Sequence, residues 1–93
     1  MIPLNAYIQE KYNQVLSQKI NDDIEFLKDF FFTSLVNCWN TDEKNNLILY
    51  EVNSEIALSH QGIKRLIRKG FKIFSVRAIE QNIMRIIFVK RIN

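Results

Sequence analysis

Apolar residues recur every three or four positions along the first part of the chain. Between Leu4 and Ile20 they alternate with polar side chains at helical spacing, which predicts an amphipathic helix. Pro3 suits the first turn of this helix, because the N–H group that proline lacks would have no partner there. Asn21 and Asp22 interrupt the apolar pattern, so we expect the helix to end before them.

A second apolar stripe follows Asp22, which has Glu25 at the spacing of a helix-capping box. The residues of the stripe are Ile24, Leu27, Phe31, Leu35 and Cys38. They predict a second helix, which pairs with the first as a helical hairpin over 1–39 and is apolar enough to be buried on two sides or to form a dimer interface. The alternation of apolar and polar residues from Phe31 to Trp39 supports a strand instead, and the sequence leaves that alternative open.

Beyond a polar connector, the pattern changes to short apolar runs and one further helix. The helix is predicted because apolar residues recur at helical spacing and are followed by Gly70, a favourable residue for a helix C-terminus. The predicted elements are, in order, a strand over 47–52, a helix that begins at Asn53 or Ser54 and ends at Gly70, and strands over 71–79 and 83–92. This order defines a β-α-β-β unit over 47–92.

The last two strands are expected to form a hairpin with a defined register. With a turn at 80–82, Arg77 lies directly opposite Arg85, on a face that also carries Phe71 and Ile73. Two arginines that face each other repel, and an anion bound between them would relieve the repulsion. The other face is apolar and is expected to cover the helices; its residues are Phe74, Val76, Ala78, Met84, Ile86 and Phe88.

Together these elements predict one α+β domain over 1–93, with two N-terminal helices followed by a strand-helix-strand-strand unit that ends in a β-hairpin. The alternative is a winged helix-turn-helix. The segment from Ser59 to Gly70, Ser-His-Gln-Gly-Ile-Lys-Arg-Leu-Ile-Arg-Lys-Gly, resembles the second helix of the helix-turn-helix in excisionase-type and related winged DNA-binding proteins. Glu51-Val52 and Ala57-Leu58 stand where the first helix and the turn would lie. The resemblance covers about a quarter of the chain and implies a recognition helix followed by the hairpin as a wing.

Charge is distributed unevenly between the two parts of the chain. Residues 1–59 carry four lysines against nine acids, a net −5, whereas 60–93 carry nine basic residues against one acid, a net +8. The formal net charge of the whole chain is +3. A basic cluster of this kind is typical of a surface that binds nucleic-acid phosphates, although a solvated surface or an acidic protein partner would also account for it.

Seven of the basic residues are candidate nucleic-acid contacts. They are Lys64, Arg65, Arg68, Lys69, Arg77, Arg85 and Arg91. The first four lie on the predicted third helix and the others on the outward face of the hairpin. The sequence therefore favours a small, non-enzymatic nucleic-acid-binding or regulatory protein, with its N-terminal helices in the core or at a homodimer interface. The alternative is a protein-interaction module, such as a phage-type inhibitor or accessory factor that binds a host protein.

Residues that carry catalysis or bind cofactors are scarce. His60 is the only histidine and Cys38 the only cysteine, so neither has a second His or Cys at metal-ligand spacing. No phosphate-binding glycine motif occurs. We expect no enzymatic activity, no cofactor and no metal. With neither a secretion signal nor an apolar run that could span a bilayer, a cytoplasmic location is expected, and the frequent Ile, Asn and Lys residues suit an AT-rich phage or plasmid genome.

Overall fold

The computed structural model of the protein describes residues 4–92, which form two helices and four strands. These elements are α1 (Leu4–Phe31), β1 (Val36–Asp42), β2 (Leu47–Ser54), α2 (His60–Arg68), β3 (Lys72–Glu80) and β4 (Ile83–Arg91). Neighbouring strands are antiparallel and form one open sheet in the order β1-β2-β4-β3. The α+β class predicted from the sequence is confirmed.

Helix α1 continues through Asp22 without a break, so the predicted helical hairpin over 1–39 is wrong. Asp22 does not cap a helix; its exposed side chain accepts a hydrogen bond from Gln18 Nε2 at 2.9 Å. The 28 residues of α1 make a helix about 42 Å long. Residues 8–15 are all exposed and packing against the core begins at Leu16, so the N-terminal half of α1 is not covered by the sheet.

The first helix ends at Phe31, and β1 begins at Val36. Phe32 adopts the left-handed conformation with φ 49°, and the Thr33 N–H donates to the Lys28 carbonyl at 3.2 Å. This pairing is the Schellman arrangement that closes a helix C-terminus. The strand alternative is therefore correct from Val36 onward, and the predicted extension of the helix beyond Phe31 is wrong.

Both helices pack on one face of the sheet, and the core lies between the helices and that face. On β2 and β4, Tyr50 pairs with Phe88 and Val52 with Ile86, and all four side chains are buried. The core cluster consists of Leu27, Phe31, Val36, Ile48, Tyr50, Val52, Leu66, Phe71, Ile86, Phe88 and Ile92. Within residues 4–92, no helix covers the opposite face of the sheet.

A buried carboxylate links α1 to the two central strands. Asp23 Oδ2 accepts a hydrogen bond from the Tyr50 hydroxyl at 2.6 Å, and Asp23 Oδ1 pairs with Lys90 Nζ at 2.6 Å. The Lys90 ammonium also lies 4.6 Å from the centre of the Phe71 ring. Burial, and then the hydrogen bond to Asp23, raise the pKa of Tyr50 well above its usual range, so this phenol stays a donor.

Helix α2 is shorter than predicted. Its N-cap is Ser59, whose Oγ accepts the Gly62 N–H at 3.0 Å, whereas the expected caps, Asn53 and Ser54, are the last two residues of β2. Gly70 ends the helix as predicted, with the positive φ of 93° that other side chains disfavour. A strand therefore occupies the place of the first helix of a helix-turn-helix, and the winged alternative is not confirmed.

The β3–β4 hairpin has the predicted register over 75–78, with Arg77 opposite Arg85, and departs from it by one residue on either side of that segment. The expected division of its side chains between two faces is wrong in part. Phe71 precedes β3 and is buried in the core, and a β-bulge at Phe74 moves Ile73 to the helix-bearing face. The apolar side of β3 that was expected to cover the helices is instead largely exposed, because β3 is an edge strand.

Replacing Asp23 with alanine is expected to destabilise the protein by about 3 kcal/mol, because the Lys90 ammonium loses its partner in a largely buried position. Tyr50→Phe removes only a hydroxyl group and should cost about 1 kcal/mol. Urea unfolding followed by circular dichroism measures both variants. A loss for Asp23→Ala no greater than that for Tyr50→Phe would contradict the role given to the carboxylate.

Replacing Phe32 with glycine is expected to stabilise the protein by about 1 kcal/mol, because the left-handed conformation at this position carries a cost for side chains that glycine avoids. The Phe32 ring is 86% exposed, so little packing is lost with it. Phe32→Ala is the matched control, since it removes the ring but keeps Cβ. Equal melting temperatures for the glycine and alanine variants would contradict this explanation.

Candidate nucleic-acid interface

A cleft of about 650 Å³ lies between α2, the C-terminal end of α1 and the connection that follows β2. Its apolar lining consists of Phe30, Phe31, Ile56, Ala57 and Leu58, and its polar lining of Ser59, Gln61, Lys64, Arg65 and Arg68. Three of these side chains are cations and none is a carboxylate. The cleft is therefore a locally positive cavity with an apolar floor.

Two of the cations at the cleft, Lys64 and Arg68, are one helical turn apart and so lie side by side. Both are exposed, and neither forms a salt bridge within the part of the chain that the structure describes. The N-terminal turn of α2 borders the same cleft and adds the positive end of the helix dipole. An anion in the cleft would meet two cations that no protein carboxylate neutralises.

The cation of Arg65 is held against aromatic rings. Its guanidinium lies 5.7 Å from the centre of the Phe26 ring and 5.3 Å from that of Phe30. The ammonium of Lys69 lies 5.3 Å from the Phe26 ring centre. Ring faces attract cations without neutralising them, so these contacts orient both charges along the α1–α2 interface and leave them positive.

Gly62 allows α2 to approach α1 closely at the cleft. A Cβ atom at this position would lie 3.3 Å from Phe30 Cζ and 3.1 Å from Ser59 Oγ. Both distances are tighter than ordinary carbon contacts. The absence of a side chain at Gly62 thus sets the distance between α2 and the Phe30 ring, and with it the width of the cleft.

The seven predicted contact residues do not form one surface. Lys64, Arg65 and Arg68 lie on α2 and Lys69 is its C-cap, on the helix-bearing side of the sheet. Arg77, Arg85 and Arg91 lie in β3 and β4 at positions that alternate with core-facing residues, so they belong to the opposite face. The two sets therefore point to opposite sides of the sheet.

Arg85 is already neutralised by a neighbouring strand. Its Nε and Nη2 atoms lie 2.9 and 2.6 Å from Glu51 Oε2. The Glu51 carboxylate therefore supplies the anion that the facing pair Arg77 and Arg85 was expected to require. Arg77 is exposed without a salt bridge in residues 4–92, and no bound phosphate is needed to explain the pair.

No family model, no curated protein and no solved structure matches this chain.

Within residues 4–92, no group of three or more His, Cys, Asp and Glu side chains is placed to hold a metal ion. Neither of the two helices in this range has the length and apolar character that a membrane crossing would require. Cys38 lies in β1, with its Sγ 3.8 Å from Thr41 Oγ1, and His60 is exposed at the start of α2.

Several parts of the cleft were not anticipated from the sequence. The connection over 56–58 was expected to be helical, so its place in the cleft wall was missed. Phe26 and Phe30, which flank the predicted apolar stripe of α1, are only partly buried and face Arg65 and Lys69. Their spacing of four residues was the available signal, because it places both rings on one side of α1.

Arg65→Ala is expected to lower the free energy of unfolding by about 1 kcal/mol, because the guanidinium and its alkyl stem pack on two aromatic rings. Lys64→Ala, one position earlier on the same helix, removes a side chain without such contacts and should change stability by less than about 0.5 kcal/mol. Thermal or urea unfolding of the two variants measures the difference. Equal stabilities would show that the ring contacts of Arg65 contribute nothing.

Proposed function

We propose that this protein is a small nucleic-acid-binding protein that contacts the phosphate backbone with the cleft-facing side of α2. The contacts assigned to this surface are Lys64, Arg65, Arg68 and Lys69, with Ser59 and Gln61 as neutral hydrogen-bonding groups. The observation that carries the proposal is a cleft lined by three cations and no carboxylate.

Two features favour a phosphate backbone as the ligand. Arginine presents a planar pair of donors that fits a phosphate, and lysine adds a point charge that tolerates several geometries. Lys64 and Arg68 lie one turn apart on the helix, about 6 Å along its axis, which is close to the spacing of successive phosphates in a nucleic-acid strand. Because neither side chain forms a salt bridge within residues 4–92, no such pair has to be broken before a phosphate binds.

The proposal excludes the outer face of the hairpin. Arg85 is paired with Glu51, and Arg77 and Arg91 lie on the side of the sheet away from α2. The mode implied by the winged proteins, in which a recognition helix and a hairpin wing grip the same duplex, is therefore not part of it. Contacts made through one short helix predict modest affinity with weak dependence on base sequence.

The proposal is tested by fluorescence anisotropy of labelled single-stranded DNA, duplex DNA and RNA, titrated with the protein at several salt concentrations. Binding through α2 predicts a slope of log affinity against log salt of about −3, corresponding to three or four phosphates. In the variant Lys64→Glu/Arg68→Glu, affinity should fall at least about tenfold and the slope should flatten by about 2.

The matched control is Arg77→Glu/Arg91→Glu, which changes net charge by the same amount on the opposite face of the sheet. It should keep the wild-type affinity to within about threefold, because exposed charges farther away than a Debye length are screened. Equal losses in the two double variants would show that only net charge matters and would reject α2 as the binding surface. Absence of binding by the wild type at about 50 mM salt would reject the function itself.

A second candidate function is that of a protein-interaction module, and one observation favours it. Ile8, Tyr12 and Val15 are 57%, 36% and 69% exposed at helical spacing on the uncovered half of α1. An apolar stripe on a free helix suits the groove of another protein or a second copy of the same helix. This candidate gains support if the titrations show no binding at any salt concentration.

A further inference from the structure

Strand β3 lies at one edge of the sheet and, within residues 4–92, pairs only with β4. The N–H and C=O groups along its other edge are therefore free to pair with a further strand. Its large apolar residues are exposed: Ile73 by 39%, Phe74 by 66%, Val76 by 41% and Ile79 by 48%. Proteins usually shield an edge of this length and apolarity, because it is a template for another strand.

We propose that β3 pairs with β3 of a second copy of this chain, antiparallel and about a two-fold axis that passes between the two Val76 residues. This arrangement joins the two sheets into one sheet of eight strands. Antiparallel strand addition at an edge is a common mode of protein association, in which backbone hydrogen bonds supply affinity and side chains supply register. The partner is a second copy because the sequence of β3 is complementary to itself.

The sequence of β3 is self-complementary when two copies of the strand are paired antiparallel with their Val76 residues opposite each other. Lys72 then faces Glu80 of the other copy, and the two-fold axis creates this ion pair twice. Ile73 faces Ile79, so apolar residues also meet. Lys72 and Glu80 are both exposed, and neither forms a salt bridge within residues 4–92.

The neighbouring registers lack this agreement. In an antiparallel sheet, directly opposed residues lie on the same face. The two-fold axis must therefore pass between two copies of the same residue, and the registers next to the one centred on Val76 are centred on Ser75 and on Arg77. Pairing centred on Arg77 places two like charges directly opposite each other, which is unfavourable. Pairing centred on Ser75 places Ile73 opposite Arg77 and leaves Glu80 without a partner in the strand. Of these three registers, only the one centred on Val76 places opposite charges opposite each other and apolar residues opposite each other.

The shape of β3 limits how far the new pairing extends. Register shifts at Phe74 and Ile79 interrupt its pairing with β4, and the segment between them, 75–78, is regular. Val76 lies within that regular segment. The backbone pairing is thus centred on the straight part of the strand. Beyond the two shifts, Lys72 and Glu80 oppose Val89 and Ile83 of β4, so both lie on the same face of the sheet and can pair across the axis.

The geometry of the pairing also fixes where α2 lies in the dimer. A two-fold axis that relates antiparallel strands in one sheet is perpendicular to that sheet, so both copies present the same face on the same side. Helix α2 lies next to β3, with Ile63, Ile67 and Ile73 lining a common cavity. The two α2 helices therefore flank the axis on one side of the eight-stranded sheet. The dimer itself does not depend on nucleic-acid binding.

Sedimentation equilibrium over a range of protein concentrations tests the dimer. Lys72→Glu and Glu80→Lys each turn two attractions into two repulsions and should each weaken dimerisation about tenfold. The double variant Lys72→Glu/Glu80→Lys restores opposite charges in the same register and should recover the wild-type dissociation constant. Both positions are exposed, so circular dichroism should show unchanged folding in all three variants.

Dimerisation that is weakened by each single substitution and recovered in the double variant supports the proposed register. The double substitution restores opposite charges because residue 72 of one copy faces residue 80 of the other. A wild-type protein that remains monomeric at all concentrations overturns the proposal. A dimer that ignores the charge substitutions but dissociates on Ile8→Ser/Val15→Ser also overturns it and assigns the interface to α1. Oligomeric state is measured without nucleic acid, so failure here leaves the α2 binding surface to its own test.

Discussion

A carboxylate buried between α1 and the sheet determines how this protein is assembled. Asp23 accepts the Tyr50 hydroxyl of β2 and the Lys90 ammonium of β4, so one side chain on the helix holds both central strands. Removing a charge from water is costly, and the cost is offset here only because both carboxylate oxygens are satisfied at 2.6 Å. This requirement fixes the rotation of α1 over the sheet and its position along the strands.

The position of α1 in turn determines which basic residues are free. With α1 held by Asp23, its C-terminal turns bring Phe26 and Phe30 against α2, and Arg65 and Lys69 lie over their rings. Lys90 is used inside the molecule. On the other face of the sheet, Glu51 neutralises Arg85. Of the seven cations in residues 60–92 that form no salt bridge, four lie on α2 or at its C-terminal end, beside the cleft.

Much of the second half of the fold could be predicted because its signals are local. Gly70 marks the end of α2 through its backbone conformation, and the β3–β4 register follows from strand periodicity and a short turn. The first half could not be predicted in the same way. An Asp in the middle of a helical pattern normally indicates a cap or a solvated face, and the burial of Asp23 depends on Tyr50, 27 residues later, and on Lys90, 67 residues later.

The same distinction applies to the candidate site. Lys64 and Arg68 were predicted because a run of cations on one helix is visible in the sequence. Arg85 was grouped with them because its partner, Glu51, lies 34 residues away in the chain and is brought near only by the β2–β4 pairing. The cleft wall at 56–58 was missed because the residues that border α2 were expected to belong to it.

We propose that the exposed cations of α2 bind a phosphate backbone. The most direct measurement is the change in backbone amide NMR shifts when an oligonucleotide is added to isotope-labelled protein. The account predicts the largest changes over 59–69 and at Phe30, with the outer face of β3 and β4 unchanged. Changes centred on Arg77, Arg85 and Arg91, with α2 unaffected, would contradict it.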